Sequence, residues 1–476
     1  MPISGIATGR CDPQEPVRGQ KFAQIWRRGT MNGARTPWTM VTTLLLAACS
    51  SQSGAPAPVQ GNAGGTAAGG SGGSPPSAGS SGASGSAGTG GSAGNAVTAG
   101  SGGSMTGGGA GAGGESSTGL RFTVQNELGA ARNDELIELS WSEIVPVLGA
   151  VTPGGLVVRE IGGLELASQA VDANEDAQPE TLLVRISLAA SETKTIELTP
   201  GTPAAVEKLV HARFVPERLD DFAWENDRTI QRVYGPALQN APEETSGSGV
   251  DVWVKSTPDL VMDSWYAGAD YHVDHGQGLD GYTVGTGRGA GGVAVWQGGT
   301  LYASLDFVTW KVIADGPLRA IFELTYAPWD AAGASVSEVK RVSLDAGSWL
   351  SRMESTITLA QGGDTTLAAG LASTTGASNL APDGSWATVW QPLDGDNGTL
   401  GVALVATGPV TLEQASEHVL ASASVASGGV FAYYAGGGWS KGGFADNAAW
   451  NTYVADFATR VASPIKVSPA LLRRRA

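Results

Sequence analysis

The sequence predicts an all-β fold in which antiparallel sheets pack as a sandwich, and three observations support this. From Leu120 onward the chain is a succession of short runs with apolar residues at alternate positions, such as RFTVQNEL, ETLLVRISL and LRAIFELTYAPW. Gly, Pro, Asn and Asp separate these runs, as expected of tight turns. Helical patterns do not alternate with the strand patterns, which argues against a parallel βαβ architecture.

The chain before this region carries a targeting pattern. Residues 1–30 are interpreted as an upstream extension, because Arg35 supplies a positive n-region only if translation starts at Met31. In residues 31–49, the run WTMVTTLLLAAC is too short to span a bilayer. Its ending resembles the lipobox of bacterial lipoproteins, which implies lipidation of Cys49 and an anchor in the bacterial cell envelope, facing the periplasm or the cell surface. An ordinary secretory signal with an incidental cysteine is the alternative.

Residues 50–119 are predicted to be a disordered linker. Stretches such as GGSGGSPPSAGSSGASGSAGTGGSAG contain almost only Gly, Ser, Ala and Pro. Such a segment has too little apolar surface to offset the conformational entropy lost on folding. We therefore expect a flexible tether between the anchor and the folded part.

The folded part is expected at residues 120–469, with N-terminal strands at 120–205 and the main motif-bearing part at 206–469. This length suits one large domain or two coupled ones. One helix is predicted near the end, in AWNTYVADFATRVAS. Its apolar residues recur at spacings of three and four, and we expect it to pack on the edge of the sandwich; they are Trp450, Tyr453, Val454, Phe457 and Val461.

Charge and cysteine content restrict the possible functions. The formal net charge of −16 argues against nucleic acid and anionic membrane surfaces as partners, and an anionic substrate would need a local basic patch. The two cysteines are Cys11, in the extension, and Cys49. The folded part therefore has no disulfide, thiolate metal site or cysteine nucleophile.

Two of the four histidines lie in the segment DYHVDHGQGLDGY, residues 270–282. Neutral histidine is a suitable general base near pH 7, and His272 and His275 are the candidates. Tyr271 is a candidate acid. On a strand, Tyr271 and His275 would share one face and His272 the other. The two histidines would then act together only if the glycine-rich stretch after His275 turns the chain.

Two other interpretations of this segment remain open. Asp270, His272, Asp274 and His275 include possible metal ligands, although their spacing matches no standard site. The segment can also be a structural loop whose histidines satisfy buried polar groups. A separate acidic run, DANEDAQPE, resembles a calcium loop but lacks the glycine and the distal glutamate of an EF-hand, so a hairpin turn is predicted there.

The segment WENDRTIQRVYGPAL is the second candidate for chemistry. Arg232 is expected to bind a carboxylate with both arms of its guanidinium. Arg228 and Tyr234 would share its face on a strand, and Tyr234 is a second candidate acid. Glu225 and Asp227 offer carboxylates for substrate binding. Alternatively, Glu225 and Asp227 pair with the two arginines in a structural network.

Weaker candidates lie in three further segments. Lys255 and Trp265 are possible substrate contacts, because cations bind anionic groups and aromatic rings stack on sugars. Trp253 has the same ring chemistry, but a buried core position is expected for it. Trp439 and Lys441, in GWSKGGF, are a possible rim of a substrate site.

Several of these segments carry a resemblance to known families. WKVIADGPLRAIFELTYAP and VKRVSLDAGSWLSRMESTITL resemble the galactose-mutarotase-like β-supersandwich of polysaccharide lyases and glycoside hydrolase accessory domains. WENDRTIQRVYGPAL, GVDVWVKS, DYHVDHGQGLDGYTVG and GGGWSKGGF together resemble a domain-of-unknown-function family from bacterial polysaccharide-utilisation loci, found beside uronate-processing enzymes. The resemblance covers about residues 122–467.

The resemblance implies a lipid-anchored carbohydrate-active protein that acts on uronate-containing oligosaccharides by β-elimination or dehydration. That chemistry removes the proton at C5 and expels the group at C4, so it needs a base, an acid and a cation, and no cofactor. The base would be His272 or His275, the acid Tyr234 or Tyr271, and the cation Arg232. The alternatives are a non-catalytic glycan-binding lipoprotein, or a mutarotase-like epimerase or hydrolase of the same fold.

The lipobox yields a first prediction. Replacing Cys49 with Ala removes the thiol that would carry the lipid, so Cys49→Ala should move the protein from the membrane fraction to the soluble fraction. The measurement is fractionation combined with metabolic labelling by a fatty-acid probe. A wild-type protein that takes up no label, with a variant that stays in the membrane fraction, would contradict the lipoprotein assignment.

Overall fold

The computed structural model describes residues 119–241, 245–268, 270–373, 375–415 and 417–470. The predicted extension, signal peptide with Cys49, and linker up to residue 118 lie outside these residues. In the described ranges, strands dominate and pair antiparallel throughout the sheets. The predicted all-β class with a C-terminal helix is confirmed. No described helix is long and apolar enough to cross a membrane.

The N-terminal strands form a small sandwich of a four-stranded and a three-stranded sheet, with strand orders β25-β1-β6-β3 and β2-β5-β4. Its elements are β1 (Leu120–Gln125), β2 (Arg132–Ser140), α1 (Trp141–Leu148), β3 (Leu156–Glu160), β4 (Ser168–Val171), β5 (Thr181–Leu188) and β6 (Thr193–Pro200). Phe122, Val184 and Ile196 are fully buried in a core of its own. The chain returns at the end to add β25 (Lys466–Pro469) beside β1.

The next segment forms a five-stranded sheet in the order β11-β10-β9-β8-β7. Its elements are β7 (Val210–Val215), β8 (Asp221–Asn226), β9 (Ile230–Val233), α2 (Pro236–Gln239), β10 (Asp251–Lys255), α3 (Met262–Ala267) and β11 (Gly278–Leu279). A 3₁₀ turn, Pro216–Arg218, connects β7 to β8. The short helices α1, α2 and α3 were not predicted, since each has fewer than nine residues and shows too little periodicity.

The rest of the chain forms an eight-stranded sheet, β14-β15-β16-β17-β24-β21-β20-β19, and a second five-stranded sheet, β13-β12-β18-β23-β22. The strands are β12 (Ala290–Gln297), β13 (Thr300–Tyr302), β14 (Phe307–Asp315), β15 (Arg319–Ala331), β16 (Ala334–Asp345), β17 (Leu350–Leu359), β18 (Asp364–Ala372), β19 (Ala377–Leu380), β20 (Trp386–Pro392), β21 (Thr399–Ala406), β22 (Thr411–Ala415), β23 (His418–Ala426) and β24 (Val430–Trp439). The helix α4 (Asn447–Ala462) follows them.

The two five-stranded sheets lie against one face of the eight-stranded sheet, which gives the predicted supersandwich. A parallel bridge between Val250 and Gly289 joins the two smaller sheets. The main core lies between the layers and takes its side chains from every second position of each strand. In β21, for example, Leu400, Val402 and Leu404 belong to this core.

The intervening β21 residues, Ala403 and Val405, point to the opposite face and pack under α4. Trp450 of α4 is fully buried there, and its ring occupies space that a Cβ at Gly401 or Gly438 would fill. The predicted helix is therefore present with its predicted apolar side. It packs on the face of the large sheet rather than on the edge of the sandwich, because these strand glycines leave room for the indole.

The five-stranded sheet β7–β11 has one face in the main core and one face that points away from it. Phe222 and Trp224 of β8 and Val252 and Val254 of β10 belong to the main core. Because side chains alternate along a strand, their neighbours project from the outward face. That outward face carries a dense group of charged side chains.

Candidate functional site

The outward face of β8, β9 and β10 carries a cluster of charged residues. Arg232 of β9 lies opposite Asp251 of β10 and Ala223 of β8. Asp221 of β8 and Asp280, which follows β11, complete the group. All four charged side chains are almost completely buried.

Arg232 is the centre of this group. Its Nε donates to Asp251 Oδ2 at 2.8 Å, its Nη1 to Asp221 Oδ2 at 3.2 Å, and its Nη2 to Asp280 Oδ2 at 2.6 Å. Only 5% of the side chain is exposed. The guanidinium lies near the faces of Tyr234 and Trp253, at 5.2 and 5.1 Å from the ring centroids.

Arg232 and the nearby Arg218 do not balance three carboxylates in a dry environment, so the carboxyl groups hold protons more strongly than usual. Burial, together with the Asp251 carboxylate, raises the pKa of Asp280 to about 8. Burial also raises the pKa of Asp221 to about 6, although Arg232 opposes the shift, and it raises the pKa of Asp251. Burial works against the charged guanidinium, but the three carboxyl groups outweigh it and hold the pKa of Arg232 well above its ordinary value.

The segment between β10 and β11 covers this charged group. The Trp253 ring stacks on Tyr271 with centroids 4.7 Å apart and on Trp265 with centroids 6.0 Å apart. Tyr266 of α3 contacts the same ring and donates its hydroxyl to Asp221 Oδ2 at 3.4 Å. The aromatic layer excludes water from one side of the aspartates, which explains their raised pKa values.

A close backbone approach at Gly278 brings Asp280 into place. A Cβ at this position would lie 2.0 Å from the carbonyl oxygen of Val254, and the φ angle is +133°. Only glycine fits both conditions. The Asp280 N–H then donates to the carbonyl of Tyr271 at 2.9 Å, which closes the loop from 271 to 280.

Tyr271 and His272 lie at the solvent side of the group. The Tyr271 hydroxyl oxygen accepts from Arg218 Nε at 2.9 Å and from Arg232 Nη1 at 3.3 Å. His272 is 54% exposed, and its ring lies 4.4 Å from the ring of Tyr271. His272 Nδ1 is 2.8 Å from Asp270 Oδ1, and Nε2 is 3.5 Å from Asp280 Oδ2. An acid and a base of suitable chemistry thus adjoin each other above a buried cluster with raised pKa values.

Comparison with protein families identifies the domain. A family model described as a domain of unknown function, DUF4861, matches residues 124–467. The chain belongs to the DUF4861 family. It is also 34% identical over 371 residues to Uncharacterized protein P7 of Formosa agariphila, covering 73% of this chain and 92% of that protein. The resemblance stated from the sequence motifs is confirmed.

Two solved structures from Enterococcus faecalis are similar to parts of the DUF4861 chain. One is an alpha-mannosidase from strain V583, with a TM-score of 0.42, 11% identity, and coverage of 75% of this chain and 46% of that one. The other is a protein in the glycosyl hydrolase family 38, with a TM-score of 0.43, 10% identity, and coverage of 75% and 48%. The chain spans about half the length of these structures.

Two predicted roles in the DUF4861 site need correction. Arg232 was expected to bind a substrate carboxylate, but its guanidinium already binds three aspartates of the protein itself. Tyr234 was a candidate acid, but it is buried and its hydroxyl donates to Asp251 Oδ2 at 3.4 Å. Both side chains are buried, and both bind carboxyl groups of the cluster.

Glu225 and Lys255 were expected to contact substrate, but both side chains are buried. Lys255 Nζ is 3.0 Å from Glu225 Oε2 and 2.7 Å from the carbonyl of Asn226. Glu225 also accepts from the backbone N–H groups of Val261 and Met262, where α3 begins. The pair therefore fixes the start of α3, and with it the aromatic cover carried by Trp265. Burial lowers the pKa of Lys255.

Arg228 and Asp227 lie in the turn between β8 and β9, apart from the Arg232 group. Asp227 accepts from the backbone N–H of Gly347, and Arg228 lies over the ring of Trp349 at 5.1 Å. The prediction that Arg228 shares a face with Arg232 is wrong, because β9 begins only at Ile230.

The loop after β24 does approach the histidine segment. Lys441 is exposed, and its Nζ is 3.8 Å from Asp274 Oδ2. Trp439 is buried and donates its Nε1 to the carbonyl of Asn397 at 2.7 Å, so it is not available as a substrate rim.

The segment from Asp270 to Gln277 is a loop, so strand alternation does not separate its two histidines. Asp270 contacts both, since His275 Nε2 lies 3.1 Å from the Asp270 carbonyl oxygen. Within the described residues, Asp172, Asp176 and Glu180 form a group with metal-ligand spacing, in the hairpin loop between β4 and β5. The segment 270–275 does not form such a group.

Asp221, Asp251 and Asp280 were not recognised from the sequence as site residues. The available signal is spacing: DFAWEN and DVWVK each carry two charged residues four positions apart, which share one strand face, next to apolar residues on the other face. Such a pattern predicts a charged face, but not that a loop covers it.

The raised pKa of Asp280 predicts an unusual pH dependence of stability. The ordinary value is 3.8 and the folded value is about 8, so between them the folded state retains a proton that the unfolded state has lost. Stability should therefore fall as the pH rises through this range, by at most about 1.4 kcal/mol per pH unit for one proton. Asp280→Asn, which keeps an oxygen acceptor for Arg232, should flatten the decline above pH 6.

The measurement is urea unfolding of wild type and variant at several pH values between 6 and 8. Below about pH 6 the raised pKa values of Asp221 and Asp306 contribute as well. Because the pKa of Asp251 is also raised, the contribution of Asp280 is read from the difference in slope between wild type and variant. Asp270→Asn, in an exposed carboxyl of the same loop whose pKa is lowered, serves as the control and should keep the wild-type slope. Equal slopes in wild type and Asp280→Asn would contradict the assignment.

Proposed function

We propose that this DUF4861 protein is a carbohydrate-active enzyme that acts on uronate-containing oligosaccharides by β-elimination or dehydration. One observation supports this most directly: Tyr271 and His272 form an acid–base pair at the solvent side of a buried charged cluster. The family resemblance, to proteins from polysaccharide-utilisation loci, supports the substrate class. The lipid anchor at Cys49 and a location in the cell envelope belong to the same proposal.

His272 would act as the base. With its Nδ1–H donated to Asp270 Oδ1, at 2.8 Å, the ring has a fixed orientation and Nε2 carries the lone pair. This nitrogen would take the proton from C5 of the uronate, which is acidified by the adjacent carboxylate. The electron pair of the C5–H bond would form the C4–C5 double bond.

Tyr271 would act as the acid. Its oxygen accepts from two guanidinium groups, so its own hydroxyl proton is left to point in a third direction. This proton would pass to the oxygen that leaves C4, which departs with the electron pair of the C4–O bond. The leaving group is a sugar hydroxyl in β-elimination and water in dehydration.

Arg232 would contribute through position rather than through substrate contact. It donates to the hydroxyl of Tyr271, the proposed acid, and to Asp280, whose Oδ2 lies 3.5 Å from Nε2 of His272, the proposed base. Arg218, which is half-buried, brings a second positive charge to the Tyr271 hydroxyl. These two guanidinium donors would hold the Tyr271 oxygen in place for the proton transfer.

The proposal predicts the effects of two conservative substitutions. Tyr271→Phe keeps the ring stacked on Trp253 but removes the acid, and His272→Gln removes the base, so each should reduce turnover by about 10²–10⁴ with little change in melting temperature. His275→Gln is the matched comparison in the same loop. Its Nε2 lies 3.1 Å from the Asp270 carbonyl oxygen and has no proposed role in proton transfer, so a much smaller loss is expected.

The assay uses the full chain with a panel of uronate oligosaccharides and follows the ultraviolet absorbance of the C4–C5 double bond. New reducing ends without this absorbance would indicate a hydrolase. Binding without any product would favour the glycan-binding alternative. Full activity in both Tyr271→Phe and His272→Gln would contradict the proposed acid–base pair.

A further inference from the structure

A cleft with a volume of about 700 Å³ lies between the N-terminal sandwich, the outer face of the eight-stranded sheet and α4. One wall is β2, another includes Arg319 and Arg352 of β15 and β17, and α4 closes the third side with Tyr453 and Phe457. The volume is typical of sites that bind small organic molecules. It is separate from the Arg232 group, none of whose members lines it.

Arginines are concentrated in this cleft, although the protein as a whole is acidic. The full chain has a formal net charge of −16, yet the cleft is lined by six arginines and four carboxylates. The arginines are Arg132, Arg185, Arg228, Arg319, Arg352 and Arg460. Two further carboxylates, Asp227 and Glu354, pair with Arg228 and Arg352, so arginines and carboxylates are equal in number and the cleft lacks the negative excess of the rest of the protein.

Two of the arginines have structural tasks that account for them. Arg132 donates to Glu135 and to the carbonyl of Ser463, which ties β2 to the end of α4. Arg319 forms a two-pronged pair with Asp345 and also donates to Glu138. The N-terminal sandwich is thereby fixed to the large sheet, and the cleft walls have a defined spacing.

Three other arginines retain donors for a ligand. Arg228 and Arg352 are both 43% exposed, and each contacts one carboxylate, with Nε 3.3 Å from Asp227 and Nη2 3.0 Å from Glu354, respectively. A guanidinium has five N–H donors, so one ion pair leaves most of them available. Arg185 Nε is buried and lies 3.5 Å from Asp134 Oδ1, too far for a well-formed hydrogen bond, so its donors are not saturated among the described residues.

Aromatic rings accompany these cations. Arg228 lies over Trp349 at 5.1 Å, and Arg352 of β17 is the cross-strand neighbour of Tyr434 of β24. Both rings line the cleft. Planar guanidinium groups bind carboxylate or sulfate through paired hydrogen bonds, and aromatic rings offer flat apolar surfaces for the faces of sugar rings.

We propose that this cleft is a second binding site, for an acidic oligosaccharide whose carboxylate or sulfate groups are bound by Arg185, Arg228 and Arg352. The anionic character of the ligand follows from the cleft itself, whereas its identity as a sugar rests on the proposed function. The site would hold one part of an acidic glycan on the domain while another part is processed at Tyr271 and His272.

The test is isothermal titration calorimetry on the full chain with tetragalacturonate, a sulfated carrageenan tetrasaccharide and neutral maltotetraose. At least one acidic probe should bind, more weakly as salt is added, and maltotetraose should not. Arg228→Gln and Arg352→Gln should each weaken that binding about tenfold or more, since a charge-assisted contact is removed. Arg159→Gln is the control, because Arg159 forms a similar exposed pair with Glu165 outside the cleft.

The two acidic probes separate carboxylate from sulfate recognition. Catalysis is scored separately, by the ultraviolet absorbance of the C4–C5 double bond, so a protein that binds an acidic probe without forming this product would contradict the proposed catalysis and leave the cleft proposal intact. The cleft proposal is overturned if neither acidic probe binds, or if Arg228→Gln and Arg352→Gln both bind as wild type does. Melting temperatures of the variants show whether a lost affinity reflects unfolding, and Arg352→Lys, which keeps the charge, should lose less affinity than Arg352→Gln.

Discussion

The burial of one guanidinium among three carboxyl groups is the constraint on which the candidate site depends. Arg232 satisfies Asp221, Asp251 and Asp280 with separate nitrogen atoms, and these residues come from β8, β10 and the end of β11. Removing Arg232 would leave buried carboxylates without their counter-charge, which typically costs about 3–5 kcal/mol. The cluster therefore holds three strands and the following loop in one arrangement.

The position of the acid–base pair follows from that arrangement. Asp280 can reach Arg232 only because Gly278 allows the chain to pass against the backbone of β10. The return of the chain closes the loop that carries Tyr271 and His272, and Arg232 binds the Tyr271 hydroxyl directly. The buried Glu225–Lys255 pair secures the other end of the same segment at the start of α3. Buried charged residues thus fix the positions of Tyr271 and His272 at the surface.

The sequence was informative about the fold because strand alternation and turn residues are local signals. It predicted the antiparallel sheets and the apolar side of α4, and it singled out Arg232, Tyr271 and His272, which the structure brings together. It could not predict that Arg232 is already bound by carboxyl groups, because Asp221, Asp251 and Asp280 are distant in sequence and meet only after the strands pair. The short helices were missed for a related reason: α3 is stabilised by its contacts with Glu225 and Trp253, not by its own periodicity.

The arginine-lined cleft was also beyond the reach of sequence patterns. Its walls belong to the N-terminal sandwich, the large sheet and α4, which are separated by hundreds of residues. Arg228 was predicted to contact substrate because it was expected to share a strand face with Arg232. It lies instead in the turn before β9. Its position beside Trp349 depends on the docking of the β8–β9 turn against the segment around Gly347.

The most direct test of the central claim is a crystal structure of the inactive His272→Gln protein with a bound uronate oligosaccharide. The account predicts a sugar ring over Tyr271, with the hydroxyl of Tyr271 within hydrogen-bonding distance of the oxygen on C4 and position 272 facing C5. Arg232 should remain bound to its three aspartates. A sugar bound directly by the Arg232 guanidinium, or bound only at a distance from Tyr271, would contradict it.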